Sequence, residues 1–384
     1  MRLEPTRITL ARARAGLTKA ELARHLGVEP RSVTNYETRG APERLAPALA
    51  QATGFRLGYF TRGEVEPIDG TRAFFRARRR TSARVKHSAV AAGRTGTEVY
   101  RLITDRFRLP ALNLPDLSGM EPESAAVTVR AQWDLGVMPA PNLVQLAESK
   151  GVRVLGLPGS TSDVDAFSVW DDGAPYVFLS RQKTAERARF DLAHELGHLV
   201  LHSGSCLDET AVTDIEREAD HFASAFLLPA AEVSAVLGRE PSVTSILAAK
   251  RRFRVSAVAL AYRLRTTGQL TEWTYRTTAG ELASLGYRTG EPDGILHERS
   301  RVFTTVLARL REKHGLGTEA MADLLGVPAE EIHGLTLGHA LTASGTGTPP
   351  PADSASAAGS HDGPAAGEAP TAEAGSRPRL RVVR

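Results

Sequence analysis

The sequence predicts an α+β chain with an all-α front, a mixed body and a disordered tail. Three observations carry that prediction. Residues 1–60 read as short helices with tight connections, and the middle of the chain holds strand-like apolar runs followed by segments of helical spacing. From about residue 342 the composition turns to Ala, Gly, Pro, Ser and Thr, which bury too little apolar surface to offset the entropy of ordering. A chain of 384 residues with 42% hydrophobic content is long enough for two or three domains, each with its own core.

Composition also limits the setting. The one cysteine, Cys206, cannot form an intramolecular disulfide, and the opening "MRLEPTRITL" has no apolar core of the kind a signal peptide needs. No run approaches the roughly 18 consecutive apolar residues of a membrane span. A cytoplasmic protein without membrane contact is therefore expected. The net charge of +4 hides an asymmetry: residues 1–108 hold 22 Lys/Arg against 10 Asp/Glu, an excess of +12 that leaves −8 for the remainder. A basic front on an acidic body points to a polyanion such as double-stranded DNA as the partner of the front alone.

In the front, "GLTKAELARHLGVEPRSVTNYE" carries the local signals. Thr18 and Glu21 form a capping box that starts a helix at Thr18, and Leu22 and Leu26 give it an apolar face. Gly27 ends it, because glycine tolerates the left-handed conformation of a sharp turn. Pro30 suits the first turn of the next helix, where Val33 points inward and Arg31, Ser32 and Asn35 lie on the outer face. Two short helices joined in this way make a helix-turn-helix, whose second helix fits the major groove; Arg pairs with guanine edges and Asn with adenine. Residues 7–60 resemble the XRE (Cro/repressor-like) helix-turn-helix family, through "LTKAELARHLGV" followed by "VTNYE". The resemblance implies an operator-binding surface made of Thr18, Lys19, Arg31, Ser32 and Asn35, with Lys19 on phosphate where the family often has Gln. Such modules usually read two half-sites, which implies a homodimer.

The basic stretch "IDGTRAFFRARRRTSARVK" then leads through the helical "TEVYRLITDRF" to the proline-containing connector "RLPALNLPDLSG". In the body, "GVRVLGL" reads as a strand and "AFSVWDDGAPYVFLS" as two strands around a turn at Asp171, Asp172 and Gly173. Helical spacing follows from Thr184 to His202 and onward to about Gly338.

Within that first helix, "AHELGHLVLH" contains H-E-x-x-H. His194 and His198 lie one turn apart and face the same way, so both imidazoles can reach one ion, with Glu195 beside them as the base that deprotonates a metal-activated water. Leu192, Leu196 and Leu199 lie on other faces and anchor the helix. A catalytic zinc wants a third protein ligand. In "DIEREADHFASAFLLPAAE", Glu216 and Asp220 share a helical face: Glu216 can be that ligand, with Glu218 as runner-up, and Asp220 can accept from a ligand histidine's other N–H. His202 lies a further turn along, either supporting the ligands, at the surface, or steadying the transition state.

These two segments resemble the ImmA/IrrE family of zinc metallo-endopeptidases over about residues 140–270. The resemblance implies a zincin-like, gluzincin-type domain with Zn2+ on His194, His198 and Glu216 and with Glu195 as general base; Asp220 stands where the family more often has Asn. It also implies a role, since such domains occur beside or fused to XRE-type repressors, several of which they relieve by cleavage.

The expected organisation is a helix-turn-helix domain over 1–66, a basic junction and helical linker over 67–125, the peptidase domain over 126–275, a helical region over 276–340 and the tail over 341–384. Within the fourth part, Gly16, Leu17, Ala23, Leu26, Gly27 and Val28 recur as Gly315, Leu316, Ala322, Leu325, Gly326 and Val327. Glu330 and Glu331 replace Arg31 and Ser32 there, so this echo reads as a packing or dimerisation element that phosphate would repel. The whole reads as a DNA-binding transcriptional regulator with a zinc-dependent endopeptidase domain that cleaves a repressor-type protein, in stress response or mobile-element control. The alternative is a transcription factor whose zincin-like domain senses a ligand or metal and cuts nothing.

Overall fold

A computed structural model describes residues 2–70, 73–77, 82–158, 163–203, 212–288, 290–339 and 381–382. Cys206 and residues 341–380 of the tail lie outside the described residues.

The front holds α1 (Pro5–Arg14), α2 (Lys19–Leu26), α3 (Pro30–Arg39) and α4 (Ala46–Thr53). The capping box forms: the Glu21 amide donates to Thr18 Oγ1 at 3.1 Å, and the Thr18 amide donates to the Glu21 carboxylate at 2.6 Å. Gly27 closes α2 at φ 65°, and Pro30 opens α3 over a fully buried Val33. Glu37, nearly buried, receives Arg12 Nε at 2.5 Å and Lys19 Nζ at 3.2 Å, which ties α1 and α2 to α3.

The body centres on a four-stranded sheet in the order β1-β4-β5-β3, made of β1 (Phe74–Ala77), β3 (Arg153–Gly156), β4 (Val164–Asp171) and β5 (Ala174–Leu179). β4 and β5 are the antiparallel pair read from the sequence, β3 runs parallel to β5, and β1 adds an antiparallel edge to β4. The long helix α5 (Ala83–Thr104) covers one face of the sheet. Its small residues permit the approach: a Cβ on Gly93 would stand 2.9 Å from the Phe167 ring, and one on Gly96 would stand 2.8 Å from Phe178. Phe167 and Phe178 stack on each other at 4.5 Å beneath it. The segment expected as a helical linker is thus a central, mostly buried helix. Arg7 of α1 makes a buried pair with Glu98 of α5 at 2.8 Å, and Ser88 Oγ donates to the Arg14 carbonyl at 2.7 Å.

On the other face lies α8 (Ala185–Leu201), with Leu192, Leu196 and Leu199 buried. α9 (Val212–Leu227) packs along α8, and α6 (Pro122–Gln132) along α9, while α7 (Leu143–Ser149) precedes β3. α10 (Ala230–Leu237), α11 (Val243–Phe253), α12 (Ala257–Thr266) and α13 (Glu272–Ser284) follow α9.

The internal echo repeats in structure. α14 (Arg301–His314), α15 (Thr318–Leu325) and α16 (Ala329–Leu335) follow one another with spacings close to those of α1 to α3, and Gly326 closes α15 at φ 72° as Gly27 closes α2. This second triad docks on the front domain of the same chain. Arg14 forms a bidentate pair with Glu331, Arg56 pairs with Glu319 and Asp323, and the Arg56 amide donates to the Gly326 carbonyl at 2.9 Å. At the far end, β6 (Arg381–Val382) pairs antiparallel with β2 (Phe107–Arg108).

Candidate metal centre

The centre is built by α8 and α9 pressed together, with β4 behind them. Thr184 caps α8, its Oγ1 accepting from the Arg187 amide at 3.3 Å. Gly197 lets α9 close in: a Cβ there would lie 3.0 Å from the Phe222 ring and 3.3 Å from Ala219 Cα. That approach carries Glu216 over the histidines.

His194 Nε2 and His198 Nε2 stand 3.0 Å apart. Oxygens of Glu216 lie 3.4 Å from the first and 3.3 Å from the second. Among the described residues these three side chains form the one group of His, Cys, Asp or Glu able to share a metal ion, with ligand atoms all within 4.8 Å of one another. His194, Glu195 and His198 have no exposed surface.

The outer nitrogens fix which atoms remain for a ligand. A carboxylate only accepts, so His194 Nδ1 donates to Asp220 Oδ1 at 2.9 Å and its Nε2 keeps a lone pair. His202 Nε2 donates to Glu218 Oε2 at 2.9 Å. His202 Nδ1 and His198 Nδ1 stand 3.1 Å apart, and a proton on the His198 side of that contact leaves a lone pair on His198 Nε2 as well. Burial pushes the His198 imidazole down to about 3, despite the nearby Glu216, so it is neutral. Burial alone would raise the Glu216 carboxyl, but hydrogen bonds from the His194 and His198 rings, when these carry the facing proton, outweigh it and hold it at about 2, so it is ionised. With no proton on their Nε2 atoms, the two imidazoles present lone pairs that converge with the Glu216 carboxylate on one point, the arrangement a divalent cation takes. The donor set, two imidazoles and a carboxylate, suits zinc.

Glu195 lies on the strand side of this cluster, where Ser168 Oγ of β4 donates to its Oε2 at 2.6 Å. Phe74 of β1 stacks on the His198 ring at 4.6 Å with 10° between planes. On the Glu216 side a cleft of about 1010 Å³ opens along Asp220, Arg187, Phe190, Tyr262 and Tyr275.

The sequence-predicted residues distribute as follows. His194, His198 and Glu216 meet, and Asp220 holds the first of them. His202 is buried at 4% exposure, which excludes the surface reading, and it sits on His198. Glu218, the runner-up ligand, reaches His202 instead. Ser168 and Phe74 were not anticipated. Ser168 leaves a trace in the sequence as the one hydroxyl in the apolar run "AFSVW", whereas Phe74 leaves none, because its partner lies more than a hundred positions away. Thr18, Lys19, Arg31, Ser32 and Asn35 belong to the front domain: Arg31 and Asn35 are exposed on α3, Ser32 is half-buried, Thr18 is spent on its cap, and Lys19 is partly engaged by Glu37.

Residues 147–265 match the family model of the IrrE N-terminal-like domain, Peptidase_M78. This Peptidase_M78 match spans β3 to α12 and contains every side chain of the cluster, together with Ser168 and Glu195; α1 to α5 and α14 to α16 fall outside it. No curated protein matches the chain. The match supports a metallopeptidase-type function for the α8–α9 region. Among the described residues no helix is long and apolar enough to cross a membrane.

Proposed function

We propose that the chain is a DNA-binding transcriptional regulator whose body is a zinc-dependent endopeptidase acting on a repressor-type protein. The observation that carries the reading is the convergence of His194 Nε2, His198 Nε2 and the Glu216 carboxylate next to Glu195. These three would hold the ion. When bound, zinc supplies Lewis-acid polarisation of a peptide carbonyl and lowers the pKa of a water toward about 7. Glu195 would take a proton from a water whose oxygen bonds to the peptide carbonyl carbon and would hand that proton to the leaving amine, so that a C–O bond forms as the C–N bond breaks and a carboxylate and an amine result. Ser168 fixes the rotamer of Glu195, and Asp220 and the His202–Glu218 pair fix those of the two histidines.

Support for the DNA-binding half comes from the charge excess of the front, the α2–α3 geometry and the exposure of Arg31 and Asn35. Arg31 and Asn35 read base edges, Lys19 meets phosphate, and Thr18 and Ser32 border the same face.

A second reading, a metal or ligand sensor that cuts nothing, is favoured by the complete burial of His194, Glu195 and His198. Elemental analysis of wild type beside Glu216→Ala, followed by mass spectrometry of a peptide library exposed to wild type and Glu195→Gln, separates the two. Stoichiometric zinc lost in Glu216→Ala, with cleavage lost in Glu195→Gln, is the expected pair of results. Zinc without any Glu195-dependent cleavage selects the sensor. Mobility-shift selection from random duplexes, with Arg31→Ala as control, tests the DNA-binding half.

A further inference from the structure

Exposed sheet edges are where extended polypeptides add to a fold, because the edge offers unpaired backbone groups. The edge of β4 beside the metal cluster is filled by the chain itself. β1 pairs with it in antiparallel register, Phe74 opposite Ser168 and Phe75 opposite Phe167. Ser168 is the residue that anchors Glu195, so β1 runs alongside the strand that positions the base. Phe74 lies flat on His198 and is itself 95% buried. Beneath it the histidines and Glu195 are buried, and the cleft beside Glu216 is not lined by any of them, whereas an endopeptidase must bring a polypeptide to the base.

The hold of β1 on the sheet is slight. It is four residues long, it ends the strand order with one neighbour, and its register shifts between Arg76 and Ala77. Four residues is near the lower end of ordinary strand length. On either side the chain is held at α5: Ile68 packs where a Gly93 Cβ would be, and Ser82 caps the helix, whose Arg84 pairs with Glu21 of α2 at 3.1 Å.

We propose that β1 is a displaceable internal occupant of the substrate edge. In place, it covers the His198 side of the centre; displaced, it exposes β4 to an extended peptide that pairs antiparallel and seats a large aromatic or apolar side chain where Phe74 had been, against His198. This rests on the peptidase reading and deepens it by naming the form of the substrate. Backbone pairing supplies affinity in such an arrangement, and the vacated seat supplies preference.

The test uses the full chain in a Glu195→Gln background, so that nothing is cut, with and without Phe74→Asp or Phe74→Ala. Amide exchange across residues 164–168 is measured by mass spectrometry, and binding of a fluorescein-labelled peptide spanning residues 68–82 by anisotropy. Loss of the aromatic seat is expected to speed exchange and tighten peptide binding, each by about tenfold. A peptide in which the position of Phe74 is Asp is expected to bind more weakly than the native peptide. If Phe74→Asp fails to fold, Phe74→Ala carries the comparison. Unchanged exchange and unchanged peptide affinity in a folded variant overturn the proposal. Tighter peptide binding by the Phe74 variants, together with no hydrolysis by the unmutated chain, removes the peptidase reading alone and leaves β4 as a peptide-binding edge.

Discussion

Ser168 on β4 donates a 2.6 Å hydrogen bond to Glu195 on α8, joining the central sheet to the side chain that the proposed hydrolysis needs as its base. Ser168→Ala removes a bond to a charged acceptor, worth about 1.5–3 kcal/mol. Peptide hydrolysis is expected to fall by roughly 10- to 100-fold. Zinc content stays stoichiometric, because no ligand is touched. Metal analysis and kinetics on the same preparation check both halves.

The supports of the two histidines are unequal in reach. Asp220 acts directly on His194, whereas Glu218 acts on His198 only through His202. Asp220→Ala is expected to weaken zinc binding by about 10- to 100-fold. Glu218→Ala is expected to cost less, and His202→Phe to fall between them. Competition with a zinc-chelating dye gives the order, and equal affinities across the three variants would sink this account of the ligand shell.

Two titrating groups meet at the start of α14. The Glu148 carboxylate accepts from the amides of Arg301 and Val302 at 2.9 and 3.1 Å, and His339 Nε2 accepts from the Ser300 amide at 3.2 Å. Burial pushes Glu148 up to about 7, despite these bonds, and pushes His339 down to about 4. Glu148 binds its proton more tightly folded than unfolded, so its contribution is greatest below about pH 4.5 and falls as pH rises toward 7. The change is about 3 kcal/mol. His339 runs the other way: its contribution is present above about pH 6.5 and is lost as pH falls toward 4. Urea unfolding from pH 4 to 8 is expected to show a shallower decline at the upper end for Glu148→Gln, and less acid sensitivity for His339→Gln.

The docking of α15 and α16 on the front domain includes one nearly buried pair, on α16, and two more exposed ones, on α15. Side chains of Arg14 and Glu331 are 11% and 7% exposed, whereas Glu319 and Asp323, the partners of Arg56, are 74% and 67% exposed. Glu331→Ala removes the bidentate partner of a nearly buried guanidinium and is expected to cost about 3 kcal/mol. Arg56→Ala is expected to cost less than about 1 kcal/mol. Chemical denaturation of the two variants distinguishes them, and comparable losses would show that burial is not what makes the Arg14 pair matter.

What was legible in the sequence was what is local. Thr18, Glu21 and Gly27 signal a helix and its end within ten positions, and they do so in the structure. His194, Glu195 and His198 share one turn and a half, and Glu216 and Asp220 share one, so helical periodicity alone puts each set on a face. The inward chain from Glu218 through His202 to His198 escaped because nothing in the spacing tells which of two nearby glutamates reaches which ring. β1 was read as part of a basic junction because its pairing with β4 is long-range. α5 was read as a linker for a different reason: Ala, Gly, Ser and Thr give a faint hydrophobic signal, although small residues are what let a helix lie close on Phe167 and Phe178.

That close fit of α5 governs how the protein can be dissected. A fragment beginning at residue 126 would leave the helix behind and present the stacked rings of Phe167 and Phe178 to water, while a fragment ending at residue 66 would strip Glu98 from Arg7. The boundaries of the family match therefore do not coincide with a unit that stands by itself. The proposed operator binding and metal chemistry have to be assayed, and mutated, within the one uncut chain.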